Sequence, residues 1–233
     1  VPVLVINSGS SSLKFSLFNM TTGHEILSGL VDRLNTRNAE LNWHHDGKKY
    51  TSPLPGQGHS GALQAVNNLV THLALKEPLA GIGHRVVHGG ETFTDSARIT
   101  EATLRGIEAC AHLAPLHNPA NVLGIQVMQA LYPSVPQVAV FDTAFHQSLD
   151  PEAFLYAVPM KLYREQRVRR YGFHGTSHKY VAQQAVQQLE LNPESHAIIS
   201  AHLGNGCSAT AISDGFSIDT TMGMTPLEGL VMG

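Results

Sequence analysis

The run Asn7-Ser-Gly-Ser-Ser-Ser-Leu-Lys-Phe15 constrains this chain more than any other. It follows the apolar stretch Val3-Leu4-Val5-Ile6 and opens an alternation in which Leu13, Phe15 and Leu17 interleave with Lys14 and Ser16. A period of two is the signature of a half-buried strand. The small residues therefore join two strands and do not open a helix. That excludes the Walker loop and the dinucleotide fingerprint, both of which lead into a helix. A hairpin turn of small residues remains. There backbone N–H groups can approach an anion, Ser10 and Ser12 add hydroxyl donors, and Lys14 supplies a point charge. A plain hairpin turn is the competing reading, since serine and glycine are common in such turns.

Further along, Thr22-Gly23 turns the chain again and residues 25–31 read as a third strand. Residues 33–60 are polar, with turn signals at Asp46-Gly47 and between Pro53 and Gly58. Leu63, Val66, Leu69, Val70 and Leu73 fit one face of an amphipathic helix. Residues 81–90, GIGHRVVHGG, read as a short strand ending in a glycine turn. Leu104 and Ile107 mark another helix, and Pro119 opens a third with Val122, Ile125, Met128 and Leu131 on its face. Residues 138–142, VAVFD, form a buried strand ending in an acid. Alternation of this kind predicts an α/β fold with parallel pairing.

After Pro151 the pattern restarts. Residues 197–202 are strand-like, LGNGCS is a tight turn, residues 209–212 continue, Asp214-Gly215 is a hairpin signal and residues 216–219 follow. Aligning Gly9 with Gly204 matches strand, small-residue turn, strand, turn, strand in both halves. The expectation is an internal repeat whose two turns clamp nucleotide phosphates.

Bulk properties narrow the function. A formal net charge of −3 provides no basic field for nucleic acid or an anionic membrane. Two cysteines, Cys110 and Cys207, cannot build a disulfide framework and suit a reducing compartment. No apolar run reaches transmembrane length. The expectation is a cytoplasmic enzyme or binding protein of one large or two ordinary domains. Of the 14 histidines, His174 and His178 stand four apart, a spacing that could hold zinc on a helix. Against zinc, the motif lacks the general-base glutamate, and Gly175 sits where a continuous helix is needed. His24, His44, His45, His59, His72 and His196 read as surface residues.

Chemistry-bearing residues recur in the remaining motifs. Arg85 lies among Ile82, Val86 and Val87, so it is expected to be partly buried and paired, either with a ligand or in a structural ion pair. Asp142 ends a strand, where ligands gather and where a cap or turn former is equally at home. The stretch RRYGFHGTSH sets Arg169, Arg170, His174 and His178 beside glycines, a costly combination for structure alone. The sequences NSGSSSLKF, GHRVVHGG, APLHNPAN, VAVFDTAFHQ, RRYGFHGTSH, HLGNG and DTTMGMTPLEGLVMG, in this order, closely resemble the acetate kinase family.

That resemblance implies an actin-like, ribonuclease H-like duplicated α/β fold. Residues 1–148 would form the complete acyl- and phosphate-binding lobe, and residues 149–233 the start of a truncated nucleotide-binding lobe. It implies transfer of the ATP γ-phosphoryl group to acetate, with Mg²⁺ or Mn²⁺, in a homodimer. By resemblance, Asn7 lies near the metal and phosphates, while Ser10, Ser12, Lys14, His202, Leu203, Gly204, Asn205 and Gly206 hold the nucleotide. Arg85 would bind the acetate carboxylate, His174 would stabilise the transition state with His117 close by, and Asp142 is the family's acid–base residue. Val87, Leu116, Phe173 and Pro226 would form the methyl pocket. Ser8 and Cys207 depart from the family's usual cysteine and glycine or alanine. The chain is expected to be the first part of a longer enzyme and inactive alone. The rivals are a propionate-preferring kinase of the same family and a nucleotide-binding module without turnover.

Overall fold

The computed structural model describes residues 1–74 and 77–232. The chain divides by its packing into two compact units. The first comprises residues 1–86 and 97–140, the second residues 87–96 and 141–233. The lobe division expected at 148/149 concerns what each half binds, and the packing division runs on its own lines.

In the first unit, β1 (Pro2–Ser8), β2 (Leu13–Asn19), β3 (His24–Asp32), β4 (Glu40–His45) and β5 (Lys48–Pro53) form a meander. Helix α1 (His59–Leu69) follows and runs into a π-helical turn, Val70–Ala74. Then come β6 (Gly81–Val86), β7 (Ala97–Arg98), α2 (Glu101–Ala109), α3 (Asn118–Leu131) and β8 (Gln137–Phe141). The eight strands form one sheet in the order β5-β4-β3-β2-β1-β6-β8-β7. The expected parallel pairing holds for β1 with β6, where Val3 faces Gly81 and Ile6 faces His84. The meander itself is antiparallel, because tight turns join its strands.

Alternation decides which face is buried. Leu4 and Ile6 of β1, Leu13, Phe15 and Leu17 of β2, and Leu27 and Val31 of β3 all turn to one side. There they pack with Ala62, Leu63 and Val66 of α1 and with Met128 of α3. The α1 pattern is as read from the sequence, except that Leu73 is exposed. Residues 33–60 hold more structure than their polarity suggested. β4 and β5 pair around Asp46-Gly47, with Trp43 stacked on Tyr50 at 5.3 Å. Because β5 is an edge strand exposed along most of its length, it carries no apolar alternation to read.

In the second unit, α4 (Pro151–Phe154), α5 (Met160–Gln166) and α6 (Gly175–Gln188) precede a three-stranded antiparallel sheet. Its strands are β9 (Ala197–Leu203), β10 (Cys207–Ser213) and β11 (Phe216–Thr220), in the order β11-β10-β9. The sequence repeat is matched in detail. Pairing of β2 with β3 shifts register between Leu17 and Phe18, and pairing of β10 with β11 shifts between Ala211 and Ile212. The Gly9–Gly204 alignment sets Leu17 against Ile212, so the irregularities fall within one residue of each other. Helix α6 was not anticipated, and Gly175 proves to begin a helix. Its inward face is Gly175, His178 and Ala182, too sparse in apolar residues to give a helical period.

One glycine in the large sheet carries a packing constraint. A Cβ on Gly29, in the middle of β3, would lie 2.5 Å from the Phe15 ring and 2.6 Å from the Asn42 carbonyl oxygen. Alanine is ordinarily the better strand residue, yet here it overpacks against backbone. Gly29→Ala is therefore expected to destabilise the first unit by about 1–3 kcal/mol. Urea denaturation of the variant checks this, and an unchanged or raised midpoint would contradict the packing described.

Candidate active site

In the first unit the small-residue turn is a β1–β2 hairpin closed by the Gly9 N–H on the Ser12 carbonyl at 2.8 Å. Asn7 and Lys14 are directly paired across the strands, so their side chains share one face. Lys14 is exposed and Asn7 half-buried. The carbonyl oxygens, which would repel an anion, are engaged by the protein. Asn121 Nδ2 donates to the Ser8 oxygen at 2.7 Å, the His59 ring Nε2 lies 2.6 Å from the Gly9 oxygen, and the Leu34 N–H donates to the Ser11 oxygen at 2.9 Å. Asn121 belongs to the first turn of α3, for which His117 is the N-terminal flanking residue. His117 is half-buried, and its neighbour Leu116 is 73% exposed. Arg85 is half-buried near the end of β6, and burial alternates onward through Val87 to His88.

In the second unit the histidines gather. Asp142 is buried just past β8, and its backbone carbonyl accepts the Gly175 N–H at 2.9 Å, satisfying a first-turn donor of α6. His174 precedes the helix with φ of 57°, in the left-handed region. Its ring stacks on His202 at 4.0 Å, and its Nδ1 lies 2.9 Å from Ser208 Oγ. His178 Nε2 lies 2.8 Å from the same oxygen, and its Nδ1 is 3.0 Å from Ser200 Oγ. The pair of histidines thus converges on a serine. His146 uses both ring nitrogens, on Ser217 Oγ and the Phe173 carbonyl.

The HLGNG turn joins this cluster. It is closed by the Gly204 N–H on the Gly206 carbonyl at 3.0 Å, and His202 Nδ1 meets Ser177 Oγ at 2.9 Å. A Cβ on Gly206 would come within 2.9 Å of the His174 ring, so glycine is required there for close approach. Leu203, Gly204 and Asn205 are exposed. Phe173 is buried. Pro226 sits half-buried in a segment held by Tyr156. The Tyr156 hydroxyl donates to Glu228 at 2.5 Å and accepts the Met224 N–H at 2.7 Å. Burial and the Glu228 carboxylate push that phenol up to about 12.

The two arginines of RRYGFHGTSH are structural. Arg169 donates to Glu91 at 2.8 Å and lies 3.7 Å over the Phe154 ring, while Arg170 donates to the carbonyls of Ala153 and Thr220. Of the histidines expected at the surface, His24, His44 and His72 are exposed. His45, His59 and His196 are half-buried and held by carbonyls. Sequence reasoning missed Ser177, Ser200 and Ser208. For Ser208, the only signal was a serine at an inward position of an alternating strand.

The sequence matches the acetokinase family over residues 2–233. The chain belongs to that family. Relatives named acetate kinase, from Shewanella amazonensis, and acetate kinase 1, from Vibrio cholerae, are 53% and 52% identical to it. Each alignment covers 99% of this chain, but only 59% and 58% of those relatives' own length. A solved propionate kinase from Francisella tularensis is 44% identical with a TM-score of 0.95, and an acetate kinase from Porphyromonas gingivalis 40% with 0.94. Each match covers 99% of this chain and 59% of the other. The α/β fold is the actin-like one of these kinases. Among the described residues, no helix is long and apolar enough to cross a membrane.

Three histidines of this acetokinase chain are neutral by burial. His84, which meets Gln137 at 2.8 Å, His146 and His178 are each lowered from 6.5 to about 4, with desolvation the main cause. Around His178 the neighbouring His146, His174 and His202 act in the same direction, whereas Asp142 opposes the shift at His146. In the unfolded chain each takes a proton near pH 6.5. Their stabilisation is therefore complete above that pH and is lost as pH falls toward 4. At pH 5 the loss is about 2 kcal/mol for each histidine that opens to water. Urea midpoints from pH 7.5 to 4.5 should fall steeply below 6.5, and a flat profile would contradict the buried neutral histidines.

Proposed function

We propose that the protein transfers the γ-phosphoryl group of ATP to the carboxylate of acetate, giving acetyl phosphate and ADP, reversibly. The observation that carries this reading is the match along 99% of the chain, at about half identity, to proteins named acetate kinase. The geometry within each unit supports it. A hairpin turn with engaged carbonyls and a paired Asn7 and Lys14 is suited to polyphosphate, and Ser10 and Ser12 add hydroxyls. The HLGNG turn, residues 202–206, is its counterpart, and the stacked His174 is a rigid donor beside it.

The reaction needs in-line positioning and neutralisation of charge spread over the transferring group. Arg85 holds the acetate carboxylate as a planar fork, and His174, with His117, donates to the phosphoryl oxygens. Acetate is already an anion near neutral pH, so Asp142 has no proton to remove. Its role here is to orient. A divalent ion, Mg²⁺ or Mn²⁺, enters with ATP as substrate. Asn7, on the hairpin face it shares with Lys14, is the residue that would lie beside that ion, which would neutralise phosphate charge. Residues 1–148 bind acyl and phosphate groups and residues 149–233 begin the nucleotide side. Val87, Leu116, Phe173 and Pro226 are the apolar residues assigned to the methyl group by the family's motifs. The protein works as a cytoplasmic homodimer.

Arg85→Ala in the whole protein is expected to lower turnover roughly 10²–10³-fold with unchanged far-UV circular dichroism. Trapping acetyl phosphate as the hydroxamate measures this, and near-normal turnover would remove Arg85 from the site. The likeness to a propionate kinase favours a second reading, in which propionate is preferred. Val87 decides between them. If Val87 closes the pocket, acetate is preferred, and Val87→Ala shifts kcat/KM toward propionate by roughly 10–200-fold, the worth of one methylene. A ratio of the two substrates that does not move on mutation would place Val87 in packing alone.

A further inference from the structure

Behind His174 lies a buried chain of alternating hydroxyls and imidazoles: Ser200 Oγ, His178, Ser208 Oγ, His174 Nδ1, at 3.0, 2.8 and 2.9 Å. Ser200 is 3% exposed, Ser208 and His178 are fully buried, and all sit within the second unit. Each hydroxyl has one proton to give and each neutral imidazole has one, so the chain can run in only two directions.

Three bonds take up three of the four protons, and the place of the fourth selects a direction. Suppose His174 Nδ1 carried its proton and donated to Ser208. Ser208 would then donate to His178 Nε2, and His178 Nδ1 would donate to Ser200. The Ser200 proton would be left over in a buried site, because among the described residues the Ser200 hydroxyl meets only His178. Run the other way, the odd proton falls on Nε2 of half-buried His174 rather than on a buried hydroxyl. Ser200 donates to His178 Nδ1, His178 Nε2–H donates to Ser208, and Ser208 donates to His174 Nδ1. Buried polar groups are satisfied wherever a satisfying arrangement exists. Either direction requires a neutral His178, and burial holds it neutral.

We infer that Ser200, His178 and Ser208 are positioning residues that hold neutral His174 in the tautomer bearing its proton on Nε2. Stacking on His202 fixes the plane of the ring, and the relay fixes which nitrogen donates. His174 then offers an N–H to a phosphoryl oxygen without first taking up a proton from water. This rests on the phosphoryl-transfer reading for its purpose, but not for its geometry.

Nitrogen-15 NMR of the whole protein, labelled at histidine and recorded at pH 8, reads the tautomer directly. The His174 signals are assigned by their loss in His174→Asn. The expected spectrum has a proton on Nε2 and a lone pair on Nδ1, and a proton on Nδ1 overturns the relay. Ser208→Ala should give averaged nitrogen shifts for His174 and a kcat lowered roughly 10–100-fold, with KM for ATP and acetate within about threefold. Ser208→Thr, which keeps the hydroxyl, should restore kcat to within about threefold. If threonine does not fit the buried site, the alanine variant and the spectrum decide alone. An alanine variant with unchanged kcat and unchanged nitrogen shifts refutes the proposal. The tautomer measurement uses no substrate. A protein that fails to phosphorylate acetate but shows the expected tautomer overturns the acetate reading and leaves the relay standing.

Discussion

The second unit is organised by one contact, the N–H of Gly175 on the carbonyl of Asp142. A side chain at position 175 would place its Cβ 2.4 Å from that carbonyl oxygen, so helix and strand end meet without an intervening layer. The chain enters the helix through His174 in the left-handed region, a conformation that costs a non-glycine residue about 1–2 kcal/mol. Such strain persists only where surroundings over-determine it. Here they do, since the His174 ring is stacked on His202 and bonded to Ser208. From that junction the first turn of α6 drops His178 onto the same serine, and the 3₁₀ turn Ala144–Ser148 brings His146 alongside.

The two hairpins use one device with different reinforcements. In both, a glycine N–H closes a short turn, and the strand pair that follows directly carries a register shift. The first hairpin is braced from outside by α1, α3 and the loop after β3 through its carbonyls. The second is braced by contact of Gly206 with an imidazole. Register shifts of this kind bend a strand and sharpen its twist, and they recur near functional sites.

Legibility in the sequence followed side-chain exposure. β1, β2 and α3 were readable because Leu4, Ile6, Leu13, Phe15 and Ile125 repeat with the period of their element. β5 was not, because an edge strand with both faces near water has no reason to alternate. α6 hid for the opposite reason: its inward face is made of glycine, histidine and alanine, which carry little hydropathic signal. Motif residues such as Asn7, Arg85 and His174 could be named from resemblance. The serines between the histidines could not, since a hydroxyl is informative only once its two partners are known. Arg169 and Arg170 were over-read. Charge beside glycine suggested chemistry, and the structure gives them Glu91 and main-chain carbonyls.

The segment of residues 87–96 interrupts the first unit, yet it packs with the second. Its Gly89 N–H bonds Thr143 at 3.0 Å, Phe93 stacks on Phe141 at 4.3 Å, and Glu91 receives Arg169 and Tyr163. During synthesis these ten residues therefore emerge ahead of residues 97–140, which complete the first unit, and well ahead of their own partners. Phe93 waits 48 residues of elongation for Phe141 (141 − 93), and Glu91 waits 72 for Tyr163. The first unit therefore closes around a segment that belongs to the second, so the two units do not follow one another as consecutive stretches of chain.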